Sequence, residues 1–389
     1  MKNFKFISLI LIITLLFSCE NQKNTEIETQ TIPNRYETRN NNSMFKITEN
    51  KALEYANIVF DKNKTRSISE ITVDYVVEQT NARSLLSDTL AYIFNKGENE
   101  GFAIISSDNR INPLLTFSES GHFDYDKNSI VNQEFILKLG NYIDKNANNE
   151  PITLSENFLD GCYAIQSNIS GSWHQRDPWN SIVNIYHPGY PVGCVAVATA
   201  IVMTHCKQSL LYHGINFPLA RIGAGIDQNS NSRIVGGSGG SSSIVPLPYD
   251  SAVNYAAQLL YYIGLDVNMN YGVNGSGAAP SSGLTLLNNK NFPLRHTQLA
   301  TYNLINVINY IKNGDIIYMR GSTVNGSGGH AWIANGTMFC VDSNNNITDG
   351  YIYCHWGWGG TCDGFYNGEV FYTTQYSFQN MQYFAIDKI

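Results

Sequence analysis

Between Gly193 and His205 nearly every residue is apolar, and the alanines and spacing of the segment predict a helix. A helix that is apolar nearly all round offers no face to water. It must lie at the centre of a fold, with other layers packed about it. Pro191 and Gly193 stop the chain just before it, so Cys194 falls in its first turn. Backbone N–H groups there have no partner within the helix and carry partial positive charge. That favours the thiolate, the nucleophilic form of cysteine. A small buried cysteine packing beside alanines is the other reading of this segment.

A thiolate nucleophile needs a base. His330 stands at the start of a predicted strand, after the glycine-rich approach Gly326, Gly328 and Gly329. Glycines let a substrate or another backbone come close, and the strand would fix the imidazole over a cleft. His174, His187, His205, His213, His296 and His355 are the competitors. His205 shares the helix of Cys194 but lies three turns further on, too far to pair with it. One cysteine with a sequence-distant histidine is the pattern of a thiol hydrolase. Further on, Trp356 and Trp358 alternate with Gly357, Gly359 and Gly360. They could shield and orient an imidazole, or form a structural aromatic cluster.

Composition divides the chain of 389 residues into two parts. From Glu20 to Glu150 there are 20 acidic and 14 basic residues among 131, whereas from Pro151 to Ile389 there are 12 and 9 among 239. Only 4 of 32 glycines and none of 5 tryptophans precede position 151. Two domains of different character therefore meet near residue 150. The net charge of −7 excludes a nucleic-acid binder held by phosphate contacts.

In the charged part, Ala52, Leu53, Ala56, Val59 and Phe60 share one face of a predicted helix over Lys51–Lys62. Strands are expected over 71–77, 90–94 and 102–105, the last two joined by a turn at 96–101, and a helix over 130–143. In the second part, helices over 249–263 and 303–311 precede strands over 316–319, 330–334, 338–341 and 351–354. Helices first and strands later point to an α+β arrangement. Gly236–Ser243 reads as a Gly/Ser connector without the Lys-Ser/Thr ending of a phosphate loop.

The chain opens with Lys2 and Lys5, an apolar run from Phe6 to Phe17, then Ser18 and Cys19. This describes a secretory signal, too short to span a bilayer. Leu16 to Cys19 resembles a bacterial lipobox, with Cys19 as the lipidated residue. Ordinary cleavage, giving a free secreted protein, is the alternative. Residues 20–42 read as a flexible tether.

Gly193-Cys194 with its alanine-rich continuation, Gly329-His330-Ala331 and the run Trp356 to Gly360, in this order, resemble the streptopain family of papain-like cysteine proteases. The resemblance covers residues of about 170–389, including the segment from His174 to Asn180 around Gln175 and the stretch from Asp266 to Gly272. Ala91–Phe94 and Gly101–Asp108 resemble that family's inhibitory pro-domain. The resemblance implies a papain-like fold preceded by a small α+β pro-domain, synthesis as a zymogen, and endopeptidase activity on proteins or peptides. It implies Cys194 as nucleophile, His330 as base, an ion pair between them before substrate arrives, and Gln175 in the oxyanion hole. Trp356 and Trp358 would form the wall beside the histidine. The pro-domain, residues 43–150, would cover the cleft as an intramolecular inhibitor, with the peptidase domain in 151–389.

Two positions depart from the family pattern. His355 stands where the family often has Asn, and Asn335 where it often has Asp. His355 could take over the orienting role through a ring nitrogen. Asp342 and Asp363 could also orient His330. Another Cys-His acyl-transfer enzyme, such as an amidase or transglutaminase, and a catalytically silent surface-binding homologue remain as alternatives. No cofactor is required, and the membrane is a partner only through a lipid at Cys19. Cys162, Cys206, Cys340, Cys354 and Cys362 are left over, an odd number, so at least one is unpaired. Cys340 with Cys354, or Cys354 with Cys362, are possible bridges in an exported protein. A zinc site from Cys340, Cys354, His355 and Cys362 lacks a Cys-x-x-Cys pair.

Overall fold

A computed structural model describes residues 45–62, 71–80, 87–125, 130–152, 162–166, 169, 173–223, 252–322, 328–371 and 379–387. The expected signal with Cys19, the tether and the Gly236–Ser243 connector lie outside the described residues.

The charged part begins with helix α1 (Glu49–Lys62), followed by strands β1 (Ile71–Thr80), β2 (Ser87–Lys96), β3 (Phe102–Ser106) and β4 (Leu114–Ser118), paired antiparallel in that order. Helix α2 (Ile130–Lys145) completes it. The apolar run in β2 is explained by period-2 alternation between two buried faces. Tyr92 and Phe94 join Ala52, Ala56, Val59 and Phe60 of α1 in one core, while Ala91 and Ile93 share another with Phe135, Leu139 and Ile143 of α2.

The glycine-rich part supplies β5 (Cys162–Gln166), the short helix α3 (Val183–Tyr186) and α4 (Cys194–Cys206). The hairpin β6 (Leu210–Tyr212) and β7 (Ile215–Phe217) follows, then α5 (Ala252–Asp266) and α6 (Pro280–Asn289). The last stretch holds β8 (Ala300–Thr301), α7 (Leu304–Lys312), β9 (Ile316–Ser322), β10 (Gly329–Val341), β11 (Ile347–His355), β12 (Gly364–Asn367) and β13 (Gln379–Ile386). Asn303 caps α7, its side chain accepting the Asn306 N–H at 2.9 Å. Ten strands run in the order β1-β2-β3-β4-β12-β11-β10-β9-β13-β8, with β5 added against β10. Helices and antiparallel sheet form separate layers, the α+β arrangement expected.

Helix α4 is central, as its composition requires. Ten of its residues are buried. It packs on β9 and β10 and against α5 and α6. The close approach to α6 depends on Gly283, where a Cβ would come within 2.7 Å of Thr199 Oγ1.

Three expectations need correction. The strands expected over 330–334 and 338–341 are one strand, β10, with a register shift against β11 between Ala334 and Gly336. The register shift is a bulge at Asn335-Gly336, between the two expected strands, and it leaves the strand continuous. Gly336 serves close packing, because a Cβ there would lie 2.9 Å from Tyr353 Cβ and 3.0 Å from Gln166 Cγ. The helix expected to end at Ile263 runs on to Asp266. Neither expected disulfide forms. Cys340 bridges to Cys162, its direct partner in the β5–β10 register, while Cys354 and Cys362 are free and buried. Sequence spacing did not place β5 beside β10.

Candidate active site

Gly193 prepares the position of Cys194. It caps α4 with φ 90°, and a Cβ there would meet Met269 Sδ at 2.6 Å and Ser276 O at 3.0 Å. Only glycine satisfies both the backbone angle and the space. Cys194 is therefore the first residue of a rigid, buried helix and is itself half-buried.

A cleft of about 670 Å³ opens over it, lined by Cys194, His330, Gln175, Trp358, Ser276 and Cys362, among others. Gln175 reaches the cleft because its segment is tied at both ends. The Gln175 carbonyl accepts the Val192 N–H at 2.9 Å, and the Trp173 carbonyl accepts the Gly359 N–H at 2.8 Å. The first tie binds the glutamine to the approach of α4, the second to the tryptophan loop. The described lining runs from His174 to Cys362.

His330 stands on β10 opposite Gly321 of β9 and is buried. Its Nε2 lies 2.8 Å from the Trp356 carbonyl. A carbonyl only accepts, so Nε2 carries the hydrogen and Nδ1 is the basic nitrogen of the neutral ring. The ring is walled by Trp358 at 4.9 Å between centroids, with Trp356 and Trp332 each at 6.1 Å. Trp332 was missed from sequence. It is two residues after His330 on the same strand, so it projects from the same face, and that spacing was the available signal.

Burial sets the protonation of the pair. It pushes the Cys194 thiol above its ordinary value, and the backbone N–H groups of Ala331, Val195 and Cys194 itself pull it only partly back. The Ala331 bond also ties the sulfur to the strand that carries His330. Burial pulls His330 down to about 4, against the raising effect of the Trp356 carbonyl. Both shifts favour neutral thiol and neutral imidazole. The ion pair expected before substrate arrives is not the state this environment favours.

The other orienting candidates separate. His355 Nδ1 is 3.3 Å from Asp363 Oδ2, and both side chains are buried. Asp363 Oδ1 accepts the Trp356 N–H at 2.8 Å. Asp342 lies in the turn beyond β10, accepting from the N–H groups of Asn344 and Asn346 at 2.8 Å each. It is at the opposite end of the strand from His330.

The charged part reaches this site from the side. Strand β4 pairs with β12, Ser118 facing Gly364 and Phe117 facing Phe365. Ser118 Oγ donates to the Asp363 carbonyl at 2.5 Å, and Ser120 Oγ to the Gly360 carbonyl at 2.7 Å. These contacts grip the tryptophan loop where it bounds the cleft. Among the described residues, no helix is long and apolar enough to cross a membrane.

Residues 173–366 match the Peptidase C10 family, and residues 45–142 match the Spi protease inhibitor family. One streptopain of Streptococcus pyogenes is 24% identical over 360 residues, spanning 78% of this chain and 79% of that protein. A second is 25% identical over 350 residues with the same coverage. A solved fragment of prointerpain A from Prevotella intermedia has a TM-score of 0.48 at 19% identity, covering 80% of this chain and 97% of the fragment. The chain thus belongs to the peptidase C10, or streptopain, family of cysteine peptidases and carries a Spi-inhibitor-like domain ahead of its peptidase region.

Proposed function

We propose that this protein is an exported cysteine endopeptidase made as a zymogen, with Cys194 as nucleophile and His330 as general base. The observation that carries the reading is the single cleft lined by Cys194 at the head of the buried helix, His330 on the adjoining strand, and Gln175. In the reaction, His330 Nδ1 takes the thiol proton and Cys194 Sγ attacks the scissile carbonyl carbon. The oxyanion is held by the Gln175 side chain and the Cys194 backbone N–H. The imidazolium then gives its proton to the leaving amine, and water hydrolyses the acyl-enzyme with His330 again as base. Trp356 and Trp358, joined by Trp332, keep water from the ring and limit its rotation.

The region of 43–150 acts as intramolecular inhibitor, and cleavage in the polar, Asn-rich linker over 144–156 releases it. Support comes from the inhibitor-family match and from the grip of Ser118 and Ser120 on the tryptophan loop. Export by the signal ending at Ser18, with Cys19 as lipid anchor and 20–42 as tether, completes the reading. Its support is the sequence of the first residues.

The test uses purified full chain under reducing conditions. Wild type should shorten itself and cleave casein, and Cys194→Ala should do neither. Equal cleavage by both proteins would sink the nucleophile assignment. A mass spectrum of the mature protein from cells reads the lipid and the cut.

A further inference from the structure

Trp356 is held at three points. Its backbone N–H donates to Asp363 Oδ1 at 2.8 Å, its indole Nε1 donates to the Cys362 carbonyl at 3.0 Å, and its own carbonyl holds His330 Nε2 at 2.8 Å. The second Asp363 oxygen faces His355 Nδ1 at 3.3 Å. His330, His355, Trp356 and Asp363 are all buried. The base is thus oriented by a backbone carbonyl, and a backbone carbonyl is only as well placed as the residue that bears it.

We propose that Asp363, braced by His355, is the positioning residue of His330, acting through the backbone of Trp356. The inference rests on the reading of Cys194 and His330 as the reacting pair. A loop rich in glycine is a poor fixture by itself, since Gly357, Gly359 and Gly360 all have positive φ and wide conformational freedom. A buried carboxylate that accepts a backbone N–H makes a strong, charge-assisted bond and pins the loop where it enters the site. Burial raises the Asp363 carboxyl, while His355 and the Trp356 N–H favour its charged form. His355 thereby has a use in this chain without touching the reacting atoms: its ring stands against the second carboxylate oxygen and limits how the Asp363 side chain can turn. Ser118 of the charged part bonds the carbonyl of the same Asp363, so the inhibitor-like domain also contacts the positioning device.

The full chain carries the test. Wild type, Asp363→Ala, Asp363→Asn, His355→Gln and Cys194→Ala are purified, and the first four are also made with Cys194→Ala added, which keeps each chain uncut for the resonance measurement. A portion of each is processed by immobilised wild-type enzyme that is then removed. Asp363→Ala should lower kcat on a peptide substrate by about 100-fold with KM within about twofold, because a small misplacement of a reacting group costs on this order. Asp363→Asn keeps an acceptor for the Trp356 N–H and should recover most of that loss. His355→Gln should lower kcat by about tenfold with KM unchanged. In the uncut proteins, the His330 Nε2–H resonance, assigned with ¹⁵N-histidine, should be sharp in wild type and exchange-broadened in Asp363→Ala. An unchanged kcat in Asp363→Ala, or equal losses in the Ala and Asn variants, overturns the proposal. If Asp363→Ala does not fold, an unchanged kcat in His355→Gln does so. Should Cys194→Ala prove as active as wild type, the reacting-pair reading has failed. The imidazole resonance then still decides whether Asp363 holds His330, and an unchanged signal in Asp363→Asn and His355→Gln overturns it.

Discussion

The protonation of the uncut site gives a prediction that can be worked through. Burial raises the Cys194 thiol above its ordinary 9.0 and lowers His330 from 6.5 to about 4. Both shifts run against the ion pair and in favour of the neutral pair. The histidine shift alone amounts to about 3 kcal/mol against the imidazolium. The sign follows directly. His330 is neutral at every pH above about 4, so it contributes no charge to hold a thiolate near pH 7, and the thiolate appears only as pH rises toward and beyond 9. The assay is the rate of Cys194 alkylation by iodoacetamide in the uncut chain from pH 4 to 10, read by peptide mass. Peptide mass separates Cys194 from the buried Cys206, Cys354 and Cys362. The rate should climb about tenfold per pH unit up to pH 9, because only the thiolate reacts and its fraction is under about 1% at pH 7. Processed enzyme, with its tryptophan loop freed from Ser118 and Ser120 and its cleft wetter, should instead react on a plateau across neutral pH. A flat, fast rate between pH 5 and 8 in the uncut chain would show a preformed ion pair and refute the burial argument.

Other outcomes follow from individual positions. Gln175→Ala should lower kcat of processed enzyme by about 10²–10³ with little change in KM, the loss expected of one oxyanion donor. Gly193→Ala forces a Cβ to within 2.6 Å of Met269 Sδ at φ 90°, and thermal unfolding of Cys194→Ala with and without it should show a loss of about 2 kcal/mol or more. Replacing Cys162 and Cys340 by serine opens a link across 178 residues of sequence. The lost chain-entropy constraint is up to about 5 kcal/mol, read as a lower urea midpoint under non-reducing conditions only.

Much of the site was legible from local sequence. The apolar run after Gly193 could only be a central helix, so Cys194 had to stand at its head. A histidine opening a strand after glycines was equally distinct. The alternation in β2 and the cap of α7 at Asn303 are local too. Trp332 was in reach through its two-residue spacing from His330 but is hidden in sequence by its likeness to an ordinary core residue. The bulge at Asn335 falls between the two expected strands, 330–334 and 338–341, where the hydrophobic pattern lapses. In the fold β5 and β11 flank this segment on its two sides, and their ladders carry the strand through.

The sequence by itself determined the elements, the two compositions of the chain and the chemical types assembled for catalysis. These depend on periodicity, turn chemistry and short-range packing, which a few neighbouring residues specify. Tertiary structure alone decided which distant groups meet. It set Cys162 against Cys340, the serines of β4 against the tryptophan loop, and Asp363 against both Trp356 and His355. It also decided the charge state of the pair. A pKa is set by the dielectric and the dipoles around a group, and those come from strands and helices far away in the chain. The helix head that favours a thiolate in sequence therefore meets, in the fold, a burial that pushes the thiol the other way.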